Sequence, residues 1–280
     1  MNLSDYGANP LLTNTDYTRI SSFIESEYGI KLPFIKKVML ESRLRKRLRA
    51  LHIDNFKDYL DYVFSPEGSE VELIYMVDAV TTNKTGFFRE PEHFNYLMET
   101  GFPEIIKTNR TIKAWSAGCS SGEEAYTLAI LLSEFKAANG PLDFNIQATD
   151  ICNEVLMKGV IAVYPENTIT HIPFTLKKKY FLKSKGSLDK TVRIIPELRR
   201  KITFRRLNFM DSNYGNINDY DMIMCRNVII YFNKEVQEQV IRKLLYKLKP
   251  GGYFFLGHSE SIQGMDLPLT QIKPTIFKKI

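Results

Sequence analysis

Cysteine is scarce in this chain and badly placed for cross-linking. Cys119, Cys152 and Cys225 are odd in number and widely spaced, so neither a disulfide framework nor a zinc knuckle is expected, and no metal centre. Long apolar runs are missing too: no stretch approaches the roughly 18 residues that a membrane span needs. Met1-Asn2-Leu3-Ser4-Asp5 lacks the basic-then-apolar order of a secretory leader. Together these absences lead to the expectation of a cytoplasmic, reduced protein with no direct membrane insertion. Acids are short in two places. Between Lys36 and Arg49 seven basic residues face Glu41 alone, and between Lys177 and Arg206 twelve face only Asp189 and Glu197. With a net charge of +6, such clustering points to an acidic partner: nucleic acid, anionic lipid or an acidic protein surface.

What remains is ordinary. At 280 residues, 44% hydrophobic and 25% charged, the chain can bury a sizeable core as one large domain or two. Its organising stretch is Thr111 to Asp150. A short apolar run, Ile112 to Ala117, reads as a buried strand, and Gly118-Cys119-Ser120-Ser121-Gly122 as a tight turn of small residues. Glu123 and Glu124 open a helix on which Leu128, Leu131, Leu132 and Phe135 recur at helical spacing. Gly140-Pro141 stop it, and Phe144 to Asp150 reads as a second strand ending on a carboxylate. Strand, turn, helix, strand and acid make the nucleotide-binding half of a doubly wound sheet.

The turn is not G-x-G-x-x-G, and the acids after it are more informative than its glycines. A pyrophosphate is favoured at a helix N-terminus by backbone N–H groups and the helix dipole, and Glu123 and Glu124 would repel it. They suit an ammonium or sulfonium group, unless they merely favour the first helical turn. Asp150 is placed to accept hydrogen bonds from both hydroxyls of a ribose. A nucleoside with a cationic tail fits S-adenosyl-L-methionine better than NAD.

Residues 1–78 read as a helical unit and 79–280 as the sheet-bearing one. Helices are expected over Tyr17 to Tyr28, Pro33 to Leu51, Asn55 to Phe64 and Glu70 to Val80, the third closed by Ser65-Pro66-Glu67-Gly68. In the second, Leu40, Leu44, Leu48 and Leu51 form the apolar stripe while Arg43, Arg45, Lys46, Arg47 and Arg49 fill the other faces. Thr81 to Pro91 has no clean period and reads as a loop, where Arg89 could simply pair with Glu90 or Glu92. From about 171 to 206 the α/β rhythm breaks. Lys179 to Leu182, Thr191 to Ile195 and Lys201 to Phe204, separated by Gly186-Ser187 and Pro196-Glu197, suggest an antiparallel excursion whose free edge could dock an extended peptide. Leu207-Asn208-Phe209 would rejoin the main sheet. Asp221 to Cys225 is a further buried strand, with Arg226 to Phe232 at its carboxyl end. Asn233 caps a long helix ended by Leu248-Lys249-Pro250-Gly251-Gly252. Tyr253 to Gly257 and Thr275 to Lys279 supply the last strands, expected antiparallel.

The chain strongly resembles the chemotaxis receptor methyltransferase (CheR) family. The resemblance is carried by Thr81 to Glu90, Trp115 to Glu124, Ala148 to Ile151, Cys225 to Phe232, Leu248 to Gly252 and Gly257 to Glu260. It implies an α/β fold: a class I S-adenosylmethionine-dependent methyltransferase sheet, Rossmann-like, with a small antiparallel β-subdomain and an all-α N-terminal domain. It implies glutamate methyl-ester formation on chemoreceptor cytoplasmic helices. Asn83, Thr85, Arg89, Glu124, Asp150, Asn208, Phe209, Arg226 and Asn227 would line the cofactor site, Asp150 at the ribose and Asn208 with Phe209 near the adenine. Arg89 and Tyr231 would lie beside the methyl group. Ala125 stands where the family usually has proline.

On this reading the basic helix around Arg43 to Arg49 would lie on acidic receptor helices, and a receptor C-terminal peptide could occupy the β-subdomain. A glutamate is already an anionic nucleophile at neutral pH, its reference pKa being about 4.3, so no general base is expected. Two rivals stand beside this. One is a nucleic-acid methyltransferase, which the basic clusters favour but no aromatic stacking motif or RNA-binding module supports. The other is an idle cofactor-binding module that signals through its β-subdomain.

Overall fold

The computed structural model describes residues 10–186, 190–215 and 218–280. Met1 to Asp5, Ser187 and Asp189, on which parts of the sequence reading rest, lie outside the described residues. The chain forms two compact units, Met1–Thr82 and Asn83–Ile280.

The first unit is four helices: α1 (Asn14–Tyr28), α2 (Lys37–Leu51), α3 (Phe56–Val63) and α4 (Pro66–Val80). Side chains of Thr13, Asn55 and Ser65 cap the N-termini of α1, α3 and α4 by accepting from backbone N–H groups, satisfying donors the helix leaves free. Ser65-Pro66 therefore opens the fourth helix rather than closing the third, proline being suited to the first helical position, where its missing N–H is not wanted. Leu40, Leu44 and Leu48 of α2 are buried, as their spacing demands, with Ile20, Ile24, Phe56, Leu60 and Met76. Inside this core Glu72, 1% exposed, receives Arg47 through two bonds of 2.8 and 2.7 Å and the Tyr59 hydroxyl at 3.0 Å.

The second unit begins with α5 (Pro91–Tyr96), a π-helical turn Leu97–Gly101 and α6 (Phe102–Ile105). The doubly wound core follows as β1 (Thr111–Ala117), α7 (Glu123–Asn139), β2 (Asp143–Asp150) and α8 (Asn153–Ile161). An excursion then runs through β3 (Val163–Pro165), α9 (Phe174–Tyr180), β4 (Phe181–Lys183), β5 (Thr191–Ile194) and α10 (Pro196–Arg199). The chain closes with β6 (Ile202–Arg206), β7 (Tyr220–Cys225), α11 (Lys234–Lys247), β8 (Leu248–Leu256), β9 (Leu269–Lys273) and β10 (Ile276–Lys279).

The main sheet has the order β6-β2-β1-β7-β8-β10-β9, and the small one β3-β5-β4. Pairings among β6, β2, β1, β7 and β8 are parallel, and β10 is antiparallel to both its neighbours. Every residue of β7 is buried, as a strand covered on both faces requires. Because β1 leads to β2 on one side and has β7 on the other, a crevice opens outside the carboxyl ends of these three strands.

Four sequence expectations for this unit are corrected. Ile202–Arg206 belongs to the main sheet, paired in parallel with β2 from Ile146↔Ile202 to Asp150↔Arg206; the third strand of the excursion is Val163–Pro165. Leu207 to Phe209 is not a strand: after Leu207 N–H reaches Asp150 O, the Asn208 side chain accepts from Met210 N–H and turns the chain. Lys179-Tyr180 ends a helix rather than starting a strand. The Pro250-Gly251-Gly252 signal does not interrupt β8 but coincides with a register shift in its pairing with β7, an irregularity that tolerates proline and glycine.

Candidate cofactor crevice

The turn after β1 is built by backbone geometry. Gly118 and Gly122 hold φ of +87° and +92°, and Ser120 sits at φ 49°. Gly118 and Cys119 both donate backbone N–H bonds to Thr149 O, at 2.7 and 2.9 Å, tying the turn to the end of β2. A Cβ on Gly118 would stand 2.2 Å from Val228 Cγ2, so the loop after β7 packs against bare backbone. Asp150 closes the other side. One of its oxygens accepts Ser120 N–H at 2.8 Å and the other Cys152 N–H at 3.0 Å. The carboxylate is thus fixed in direction by the turn after β1 and the start of α8.

The two glutamates that open α7 diverge. Glu123 is buried, accepts from Ser121 Oγ at 2.7 Å, and its carboxyl is pushed up by burial. Glu124 accepts from Ser116 Oγ at 2.7 Å and lies 3.3 Å from Arg226 Nε. Burial raises its carboxyl as well, and Arg226 opposes the rise. Only Glu124, therefore, takes part in the charge pattern of the strand ends.

Arg226, at the end of β7, is 5% exposed. Its Nη2 donates to Arg89 O at 2.5 Å, and the guanidinium lies 5.2 Å over the Phe94 ring. Arg226 Nε and Nη1 are buried with no hydrogen-bond partner among the described residues. Nε is at least ion-paired with Glu124, whereas the buried Nη1 calls for an acceptor.

Asn227, at φ 59°, donates from Nδ2 to Glu90 Oε1 at 3.1 Å. The loop carrying Arg89 is itself strained, with Phe88 at φ 55° and Glu90 at φ 58°. It is pinned by Phe88 N–H to Thr127 Oγ1, His171 Nε2 to Phe87 O, and the Phe87 ring edge-on to Tyr164 and Phe181. Arg89 Nη1 donates to Lys84 O at 2.8 Å.

Glu260 is the residue that sequence reasoning missed. Its Oε2 accepts N–H from Gly257 at 2.6 Å and Asn227 at 2.9 Å; its Oε1 accepts from Val228 at 2.8 Å and Ile229 at 2.9 Å. A single buried carboxylate thereby fixes the whole turn after β7, and burial raises its pKa in spite of those donors. Gln237 Nε2 then holds the one-turn helix Ile229–Tyr231 by donating to Ile229 O and Phe232 O, which leaves Tyr231 half-buried. The only sequence signal for Glu260 was its place in the Gly257-His258-Ser259-Glu260 motif.

Of the remaining expected residues, Asn83 Nδ2 contacts Cys152 Sγ at 3.4 Å and Asn83 O accepts from Ser120 Oγ, which brings this residue to the turn after β1. Thr85 is half-buried nearby in sequence. Phe209 lies 6.2 Å edge-on to Phe232. Cys119 and Cys225 are fully buried and their thiols are pushed well up, chiefly by that burial; neither is a nucleophile. On the basic helix, Arg43 donates to Ala79 O and Thr81 O, Arg45 to Pro10 O and Glu41, and Arg47 to Glu72. Lys46 and Arg49 are exposed.

A mostly parallel sheet, a glycine-cornered turn, an acid ending the second strand and a charged pocket at the third define a Rossmann-like nucleoside-binding fold of the S-adenosylmethionine-dependent methyltransferase class. Residues 83–277 match the CheR methyltransferase SAM binding domain, and residues 15–81 match the CheR methyltransferase all-alpha domain. The chemotaxis protein methyltransferase of Borreliella burgdorferi is 34% identical over 99% of both chains. Chemotaxis protein methyltransferase 2 of Pseudomonas aeruginosa is 35% identical over 95% of this chain and 93% of its own. The Salmonella typhimurium chemotaxis protein methyltransferase is 34% identical over 91% of this chain and 86% of its own. The chain belongs to the CheR methyltransferase family, and its cofactor is S-adenosyl-L-methionine.

Proposed function

We propose that the chain methylates glutamate side chains of chemoreceptors (methyl-accepting chemotaxis proteins), forming methyl esters in chemotactic adaptation, as a cytoplasmic enzyme. The observation that carries this is its near full-length likeness to chemotaxis methyltransferases, joined to a crevice whose polar groups fit the cofactor. Among the described residues no helix is long and apolar enough to cross a membrane. The helical first unit and the sheet-bearing second unit act as substrate-docking and methyltransferase domains.

The fit is chemical. Asp150, held by two backbone donors, receives the ribose hydroxyls. Asn208 and Phe209 take the adenine end. Arg226, whose buried Nη1 has no hydrogen-bond acceptor among the described residues, meets the carboxylate of the amino-acid tail, and Glu124 faces its ammonium. Asn83, Thr85, Arg89 and Asn227 complete the lining. When bound, S-adenosylmethionine supplies a methyl group on a sulfonium centre. The protein's own work is to orient the incoming carboxylate and exclude water from it. Arg89 spends one N–H on Lys84 O and keeps others for a single positioned bond to one carboxylate oxygen, with Tyr231 beside it. A bidentate clamp would blunt the nucleophile.

Docking divides between two surfaces. Lys46 and Arg49 are the exposed cations of α2 and carry its attraction for acidic receptor helices; Arg43, Arg45 and Arg47 are already engaged by their own unit. On the β-subdomain a cavity of about 930 Å³ is lined by Phe174, Phe181 and Val192 with Lys177, Lys178, Lys183 and Lys190. Its apolar floor and lysine rim suit a receptor C-terminal peptide adding to the free edge of β4.

The test is base-labile methyl-ester formation from labelled cofactor on receptor membranes, with RNA as the competing substrate. Arg89→Ala should lose roughly 10²-fold in turnover, the usual cost of misplaced reactants, while still binding S-adenosylhomocysteine. Unchanged turnover would refute the role of Arg89, and label on RNA alone would refute the substrate class. Raised salt should weaken receptor methylation, because exposed charges are screened over about 10 Å at 0.1 M.

A further inference from the structure

Beside the crevice, three potential ligand atoms from distant parts of the second unit converge: Glu90 Oε2, His93 Nδ1 and His258 Nε2, all within 4.8 Å of one another. The sequence gives no hint of this, because Glu90 caps the start of α5, His93 lies within that helix and His258 follows β8. His93 Nδ1 lies 3.7 Å from Glu90 Oε2, and His258 Nε2 lies 3.9 Å from the same oxygen.

The hydrogen-bond network fixes the tautomer of His93. The Thr275 hydroxyl gives its only proton to Pro274 O, at 2.7 Å, so its oxygen must accept at 2.8 Å from His93 Nε2. The proton of the imidazole is therefore on Nε2, and Nδ1 presents a bare lone pair to a carboxylate oxygen. His93 is 1% exposed, and neither its Nδ1 nor Glu90 Oε2 has a hydrogen-bond partner among the described residues. Glu90 cannot easily turn away, since Asn227 Nδ2 holds its other oxygen at 3.1 Å. Two buried atoms without hydrogen-bond partners face each other, and a bound cation between them satisfies both.

We propose that Glu90, His93 and His258 form a binding site for a zinc-class divalent transition metal. Two imidazoles and one carboxylate are a set such ions take with a fourth position open. A second partner orienting each ligand is also usual, and here Thr275 orients His93 and Asn227 orients Glu90. Bonds of about 2.0–2.1 Å put tetrahedral ligand atoms roughly 3.4 Å apart, so closing separations of 3.7 Å, 3.9 Å and at most 4.8 Å asks for a few tenths of an ångström to about 1.4 Å of movement. His258, 50% exposed on its side chain, can supply it and gives the ion a path from solvent. Glu92 Oε2, 3.9 Å from His258 Nε2, or water takes the open position. The opposing charge is Arg226, whose Nη2 is 3.6 Å from Glu90 Oε2 without bonding to it; its Nε faces Glu124, which offsets part of that charge. The bound ion would clip the loop opening α5 to the loop after β8.

The experiment uses the untagged, chelator-treated full chain, titrated with Co²⁺ and read by its visible d–d absorption, followed by displacement with Zn²⁺. One equivalent with a tetrahedral-type spectrum is expected. His258→Ala, with an unchanged metal-free melting temperature, and Glu90→Gln should each weaken binding by roughly 10–100-fold or more, the range seen even for outer-shell losses. Absence of a stoichiometric spectrum would overturn the proposal. So would equal binding by His258→Ala, since that result takes the metal away from the convergence that His258 completes.

Discussion

Replacing Glu260 with alanine tests the claim that one buried carboxylate builds the turn after β7. Four backbone N–H groups, those of Gly257, Asn227, Val228 and Ile229, lose their acceptor at distances of 2.6, 2.9, 2.8 and 2.9 Å. A buried donor left unsatisfied costs about 1–3 kcal/mol. Four at the low end give about 4 kcal/mol, and relief from burying a charge, evident in the raised carboxyl of Glu260, trims this to about 3–4 kcal/mol. For a unit of this size each kcal/mol is worth roughly 2–4 °C, so the melting temperature should fall by about 6–16 °C. Binding of S-adenosylhomocysteine should weaken in parallel, because Asn227 and Arg226 sit on the loosened turn. Glu260→Gln keeps one acceptor oxygen but turns an amide N–H₂ toward the other pair of donors, so it should recover less than half of the loss. Calorimetric melting and ligand titration read both effects. A Glu260→Ala protein melting and binding like the parent would refute the reasoning.

Four further outcomes follow from the same geometry. Glu123 has its carboxyl raised by burial, so its contribution is fully present below the ordinary carboxylate range and is lost as pH rises through the folded value. Glu123→Gln should therefore stabilise the protein at neutral pH, with the gain vanishing in acid melts, and a pH-independent gain would contradict this. Gly118→Ala sets a Cβ against Val228 at φ +87° and should cost about 1–3 kcal/mol along with cofactor affinity, read by titration calorimetry. Arg47→Ala strips the buried Glu72 of its partner and should destabilise the first unit by about 3–5 kcal/mol. Lys46→Ala, at an exposed site, should stay within about 0.5 kcal/mol yet weaken receptor methylation at low salt; denaturation and initial rates separate the two.

The sequence revealed the parts whose physics is local. Strand β1, the small-residue turn, helix α7 and strand β2 were legible because apolar spacing, glycine and the terminal acid all act within a few residues. The antiparallel close of the sheet was legible because the span between Leu256 and Thr275 is too short and turn-rich for a crossover. Strand β6 was misplaced because a short, charged strand looks the same at the rim of a large sheet as in a small one. Strand β3 was hidden by its proline. Helices α5 and α6, broken by Gly101 and Pro103, left no period to read.

The site divides in the same way. Asp150 and Arg226 could be marked as polar residues at strand ends. That Arg226 faces Glu124 and Glu90, and that three of the five basic residues named on α2 serve their own fold, depends on contacts between residues distant in sequence. The Glu90, His93 and His258 convergence belongs to that second kind.

The excursion from β3 to α10 follows α8 and returns to the main sheet at β6, with Ile194 N–H at the end of β5 bonded to Ala162 O at its start. It is thus keyed into the frame: Tyr164 and Phe181 pack edge-on against Phe87, His171 bonds Phe87 O, and the Tyr164 hydroxyl donates to Ser121 O in the turn after β1. Substitutions that retune which polypeptide the excursion grips are therefore felt at the alkylating centre wherever they shift Tyr164, His171 or Phe181.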